Sequence, residues 1–187
     1  MTELILIRHG ETDWNVQGRY SGQSDVPLNE RGRAQARRIV EALQGEALAA
    51  VYSSDLARSA ETARLLAQAT RAPLHLDRRL REIDQGEWEG LHFDEVRERF
   101  REAWRERQRR PLEVAAPGGE TVGQLRSRVL QVLQDILTRH PSGTVAVVSH
   151  GLALAILRVH LQGAAIEAVW DQIPPNAEPE RVEVSRS

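Results

Sequence analysis

Two apolar runs, far apart in the chain, each end in His-Gly, and this repetition constrains the fold more than any other feature. Leu4-Ile5-Leu6-Ile7 leads into Arg8-His9-Gly10, and Val145-Ala146-Val147-Val148 leads into Ser149-His150-Gly151. A short, continuous apolar run bounded by polar residues fits a strand buried on both faces, as in a parallel sheet covered by helices. Ligands in open α/β sheets bind outside the carboxyl ends of the strands. Two imidazoles and an arginine at that rim suit an anionic group.

The rest of the chain fits such a sheet. Residues 3–7, 48–52, 74–76 and 144–148 are expected as strands, with a last edge strand around Val182 and Val184. Helices are expected over 30–44 behind an Asn29 cap, 57–69, 93–110, and from a Thr121-x-x-Gln124 capping box to Pro141. A further helix is expected over 152–162. The first helix is assigned an apolar face of Ala34, Ile39, Ala42 and Leu43; the one behind Thr121 carries a stripe from Leu125 to Leu137. Residues 13–28 are expected as a polar loop and 81–90 as an acidic, glycine-containing one. Strands alternating with helices of crossover length predict an α/β fold, a three-layer α/β/α sandwich. The whole of 1–187 is expected as one domain, with 93–119 as a cap insertion.

Composition removes several chemistries. There is no cysteine, hence no disulfide, thiolate nucleophile or Cys-ligated zinc. Every basic residue is arginine, so a catalytic lysine is excluded. The formal net charge of −2 gives no basis for nucleic-acid binding. No apolar run reaches transmembrane length and no secretory signal opens the chain, so membrane association is not expected and the cytoplasm is the expected location.

If the sheet is parallel at its centre, His9, the Ser53–Arg58 segment, His150 and Glu82 converge at one edge. The set contains two histidines, the two arginines Arg8 and Arg58, and one carboxylic acid. It matches phosphoryl transfer through a phosphohistidine. A neutral imidazole nitrogen attacks phosphorus, and arginines hold the equatorial oxygens in bidentate fashion. Glu82 protonates the leaving alkoxide and later deprotonates water. Gly10 and Gly151 are expected to let the backbone approach the ligand, with Gly151 opening a helix whose N-terminus favours an anion. Hydrolysis of a phosphate monoester can need up to ~10²¹-fold acceleration. Arginine clamping supplies only about 10³–10⁵, so a nucleophile and a general acid are needed as well.

These residues sit in a longer ordered series: Arg8-His9-Gly10-Glu11-Thr12, Trp14-Asn15, Gly22-x-x-Asp25-x-Pro27-Leu28, Ser53-Ser54-Asp55-Leu56-x-Arg58, Leu80-Arg81-Glu82-Ile83, Gly86-x-Trp88-Glu89-Gly90, Pro117-Gly118-Gly119-Glu120 and Ser149-His150-Gly151. The series resembles the histidine phosphatase superfamily, also called phosphoglycerate mutase-like. It is most similar to small bacterial broad-specificity and α-ribazole phosphatase-like members. The resemblance implies a mixed, mostly parallel six-stranded sheet. It implies His9 as the phosphorylated nucleophile, Glu82 as acid/base, and Arg8, Arg58 and His150 around the phosphoryl group. Asn15 and the Ser21-Gly22 segment join them. It implies no metal and no cofactor. A mutase reading is weakened by the absence of lysine and by a short 93–119 segment.

The expected activity is therefore a metal-independent phosphomonoesterase acting on a small phosphorylated metabolite. A cofactor-dependent phosphoglycerate mutase and a non-catalytic phosphate-binding module are the alternatives. A homodimer through an edge strand or the 93–110 helix is left open. Phe93, Val96, Phe100 and Trp104 are assigned to core or dimer packing ahead of a pocket wall, and pairs such as Glu95–Arg99 and Glu106–Arg110 to a solvated helix face. Asp55 is expected to be structural, and His92 is considered as a substrate contact. His140 is placed where a helix end favours positive charge.

Overall fold

The computed structural model describes residues 1–184. The described strands are β1 (Thr2–Arg8), β2 (Leu48–Ser53), β3 (Leu74–Leu76), β4 (Gly143–Ser149) and β5 (Glu180–Val184). They form one sheet in the order β3-β2-β4-β1-β5. The first four are mutually parallel, and β5 runs antiparallel to β1. The sheet thus has five described strands, not six. The segment between Leu161 and Glu180 has no strand-length apolar run; it forms a 3-10 segment over Ile166–Gln172 and a loop carrying Pro174 and Pro175.

Side-chain alternation explains why the central strands are apolar throughout. Leu4, Leu6, Val145 and Val147 point to one face, under α6 (Val122–Arg139) and α7 (Gly151–Leu161). Ile5, Ile7, Ala146 and Val148 point to the other, under α2 (Glu30–Leu43) and α3 (Ala57–Thr70). This is the expected three-layer sandwich. In α2 the buried positions are Gly32, Ala36, Ile39 and Leu43, whereas Ala42 is exposed and Ala34 only half-buried. The face is rotated because α2 must bring Gly32 against the chain at Gly10 and Glu11.

Caps set several boundaries. Asn29 accepts from the amide of Gly32, and Thr121 and Gln124 form the expected capping box. Thr12 and Asn15 form another that was not expected. It starts a one-turn helix, α1 (Asp13–Val16), inside the supposed polar loop.

The 93–110 helix is two helices, α4 (Phe93–Arg99) and α5 (Arg101–Arg109), separated at Phe100. Phe100 leaves helical geometry and its ring packs near Trp88, with centroids 6.3 Å apart. Trp88, Val96 and Ala116 centre a small cluster separate from the two sheet faces. Ion pairs on these helices include Asp94–Arg97 and Glu106–Arg109, with partners other than those expected from sequence. Among the described residues, no helix is long and apolar enough to cross a membrane.

Candidate active site

Strand register builds the site. Arg8 of β1 lies opposite Ser149 of β4, so the next residues, His9 and His150, leave the sheet side by side. Their ring centroids are 5.1 Å apart. The His9 amide donates to the Ser149 carbonyl at 3.0 Å, which continues the ladder to the rim of the sheet. The histidines, Arg8, Arg58, Glu82, Asn15, Ser21, Gly22 and Gly151 all border one cavity of about 350 Å³. All the residues expected at the site are therefore brought together.

His9 is 3% exposed, and its Nδ1 lies 2.7 Å from the carbonyl oxygen of Gly10. A carbonyl only accepts, so the ring proton resides on Nδ1 and Nε2 keeps its lone pair. Burial, then the charges of Arg58 and Arg8, hold the His9 pKa well below the usual 6.5; burial, then Arg58, His9 and Arg8, do the same for His150. Both rings are neutral at neutral pH. Neither ring nitrogen of His150 has a hydrogen-bond partner among the described residues, nor do Nε of Arg8, Nε of Arg58 or Oγ of Ser21. Buried polar groups rarely go unpaired. This group of donors is arranged for an oxygen-rich anion.

The arginines are anchored from behind. Arg8 donates to the Pro174 carbonyl at 2.8 Å. Arg58, 1% exposed, donates to the carbonyls of Ser24 at 2.8 Å and Gly22 at 2.7 Å. Burial lowers the Arg58 pKa to about 10, so it stays charged at neutral pH. Asn15, which borders the cavity, uses its side-chain oxygen to accept from Thr12 N at 3.1 Å.

Glu82 is held by the start of α7. Its Oε2 accepts from Leu152 N at 3.0 Å, and its Oε1 from Ala153 N at 3.3 Å and Ile83 N at 3.0 Å. The amides of Leu152 and Ala153 are among the unpaired donors that every helix N-terminus presents.

The glycines also meet packing demands, although Gly151 opens α7 and borders the cavity as expected. A Cβ on Gly10 would lie 2.4 Å from the Gly32 carbonyl oxygen, so Gly10 is needed for packing on α2, not for approach to a ligand. A Cβ on Gly151 would meet Ile173 at 3.0 Å and Arg8 Cζ at 3.4 Å, so Gly151 leaves room for the arginine. Gly22 has φ +48°, and a Cβ there would collide with Glu89 Oε1.

Several residues that shape the site were not singled out from sequence. Arg128 on α6 donates to the carbonyls of Arg79, Arg81 and Glu82, and pairs with Glu120 at 2.7 Å, fixing the segment that carries Glu82. Glu89 accepts from Gln23 N at 2.8 Å and Gln85 N at 3.2 Å, joining the 22–24 turn to the 81–90 loop. Asn176 donates to the His9 carbonyl at 2.9 Å. Glu120 and Glu89 stand in quoted motifs; Arg128 and Asn176 have no local sequence signal.

Phe93 and Trp104 border the cavity, so the aromatic stripe is partly a pocket wall. Asp55 is structural as expected: it accepts from Arg81 through both oxygens at 2.6 Å. His92 is a helix cap whose Nδ1 accepts from Asp94 N, and it is not at the cavity. His140 is bonded to Tyr52 at 3.0 Å, and burial lowers its pKa, so it does not supply the expected positive charge.

This architecture and site define an α/β protein built to hold a phosphoryl-like anion between two histidines and two arginines. The chain belongs to the histidine phosphatase superfamily (branch 1), whose family model matches residues 4–187. It is 37% identical over 170 residues to phosphoserine phosphatase 1 of Hydrogenobacter thermophilus, covering 91% of this chain and 81% of that protein. It is 39% identical over 158 residues to the probable phosphoglycerate mutase GpmB of Enterobacter sp. strain 638, covering 84% and 73%. The solved structure of Bacillus stearothermophilus YhfR superposes with a TM-score of 0.89 at 36% identity, covering 99% of this chain and 92% of that one.

Proposed function

We propose that the chain is a metal-independent phosphomonoesterase that forms a phosphohistidine on His9. One observation carries this reading: Nδ1 of His9 is committed to the Gly10 carbonyl, so Nε2 presents its lone pair among Arg8, Arg58 and His150. In the first half-reaction the His9 Nε2–P bond forms as the P–O ester bond breaks. Glu82 protonates the departing oxygen. In the second, Glu82 takes a proton from water as water attacks phosphorus and the N–P bond breaks, freeing phosphate. Arg8, Arg58 and His150 hold the equatorial oxygens, joined by Asn15 and Ser21 beside Gly22. Gly151 lets Arg8 lie against the start of α7.

The substrate is a small phosphorylated metabolite, because one wall of the cavity is formed by the cap segment 93–119 through Phe93, Arg97 and Trp104. No cofactor, nucleic acid or membrane enters this reading, and the cytoplasm is its expected compartment. A mutase has the same first half-reaction. The similarity to a probable phosphoglycerate mutase keeps that reading in view; the two differ in whether water or a second hydroxyl receives the phosphoryl group. Phosphate release from a panel of phosphomonoesters, with and without chelator and beside His9→Ala, tests the proposal. Chelator-resistant release that vanishes with His9 supports it. Isomerisation of 3-phosphoglycerate with a bisphosphate primer and no net phosphate release replaces it with the mutase. Silence in both assays favours a binding module.

A further inference from the structure

The cavity is bordered by a third buried arginine, outside the phosphoryl clamp. Arg107 of α5 is 2% exposed and borders the cavity. Its guanidinium lies over the rings of Trp88 and Trp170, at 5.1 Å and 5.7 Å from their centroids. Its one hydrogen bond among the described residues is Nη1 to Oε1 of Gln85 at 2.6 Å, a neutral amide. Nε of Arg107 and the indole N–H groups of Trp88 and Trp170 are buried without a partner among the described residues.

The other arginines at the cavity are accounted for. Arg8 and Arg58 belong to the phosphoryl clamp. Arg19 donates to Gln17 and Gly90, and Arg97 pairs with Asp94. The only carboxylate among the lining residues is Glu82, committed to α7. A buried cation without an anionic partner is costly, and an apolar side chain of similar size would tie α5 to the 81–90 loop at less expense. A planar guanidinium fork held between two indole rings and bonded only to a neutral amide suits a planar acceptor with two oxygens.

We propose that Arg107 selects substrates whose non-phosphoryl end carries a carboxylate, with Gln85 as the residue that positions its guanidinium. This assignment rests on the phosphomonoesterase reading for its reaction, but not for its binding.

The test uses a matched pair, 3-phosphoglycerate and glycerol 3-phosphate, in which a carboxylate is exchanged for a neutral hydroxymethyl group. In the wild-type protein kcat/KM should favour the carboxylate by about 10–100-fold, the worth of a charge-assisted hydrogen bond. Arg107→Met should bring that ratio close to one, and Arg107→Lys should restore part of it. Absence of a preference in the wild type, or equal losses for both compounds in Arg107→Met, would overturn the assignment and leave Arg107 as a structural tie. Calorimetric binding of the same pair to His9→Ala, with Arg107 intact and replaced by Lys or Met, gives a reading that needs no turnover. A carboxylate preference that disappears with Arg107 supports the assignment even if the wild type releases no phosphate, which would sink only the phosphatase reading. Equal binding of the pair to His9→Ala sinks the Arg107 assignment by itself. If Arg107→Met fails to fold, as judged by near-UV circular dichroism, the Lys variant and the His9→Ala preference decide the matter.

Discussion

At the residue scale, two kinds of neighbour suit His9 to the proposed role of nucleophile. The Gly10 carbonyl fixes the tautomer, and burial among Arg8 and Arg58 keeps the ring unprotonated. His9→Ala should abolish turnover while binding of vanadate or phosphate survives in part, because Arg8, Arg58 and His150 remain; isothermal calorimetry beside a turnover assay checks both halves. Retained turnover would remove His9 from the nucleophile position. Glu82→Gln should slow alkyl phosphates by about 10²–10⁴-fold, the usual range for general acid catalysis. Aryl phosphates should suffer less in the first step, since their leaving groups need less protonation. Comparable losses in phosphoenzyme formation for the two classes would count against the acid role. Residue types and local order made His9, Arg8, Arg58, Glu82 and His150 legible. Sequence could not show that Arg107 is buried between two tryptophans that lie 82 positions apart, because that sandwich exists only after three separate segments pack.

At the element scale, two helix starts were legible because a side chain signals them, whereas the Thr12–Asn15 box that starts α1 was not. Asn29 and Thr121 signal theirs through ordinary capping chemistry. Thr121→Ala should cost about 1 kcal/mol of stability by denaturant titration, the typical value of a lost N-cap. The break at Phe100 was not legible, since no glycine or proline marks it; it is set by packing of the ring beside Trp88. The apolar face of α2 was misassigned for a related reason. The helix is rotated by a close backbone approach, Gly32 against Gly10 and Glu11, that periodicity does not register. Gly10→Ala should therefore destabilise the fold by at least about 1–3 kcal/mol, the usual cost of overpacking, because the added methyl meets backbone that cannot rotate away. A melting temperature unchanged from wild type would show that the α2 contact relaxes freely.

At the scale of the whole molecule, burial of two neutral histidines under one sheet edge links folding to pH. Their folded pKa values lie below the 6.5 of an exposed histidine. Below pH 6.5 the unfolded chain takes up protons that the folded chain refuses, so stability is complete above that value and falls as pH drops toward the folded pKa values. Two such groups imply a slope of up to about 2–3 kcal/mol per pH unit. Urea titrations from pH 7.5 to 5 should show it, and His150→Asn should make the slope shallower; a flat profile would contradict the burial of these rings. The sequence alone determined the layered α/β class, the strands and most helices, and the residue types at the site, because hydrophobic period, caps and strand-end motifs are local. The three-dimensional arrangement decided the strand order β3-β2-β4-β1-β5, the five-strand count among the described residues, and the pairing of Arg8 with Ser149 that sets His9 beside His150. It also decided which donors stay unpaired around the cavity. These depend on contacts between segments distant in the sequence, 141 positions for Arg8 and Ser149, whose energies arise only when both faces of the sheet are covered together.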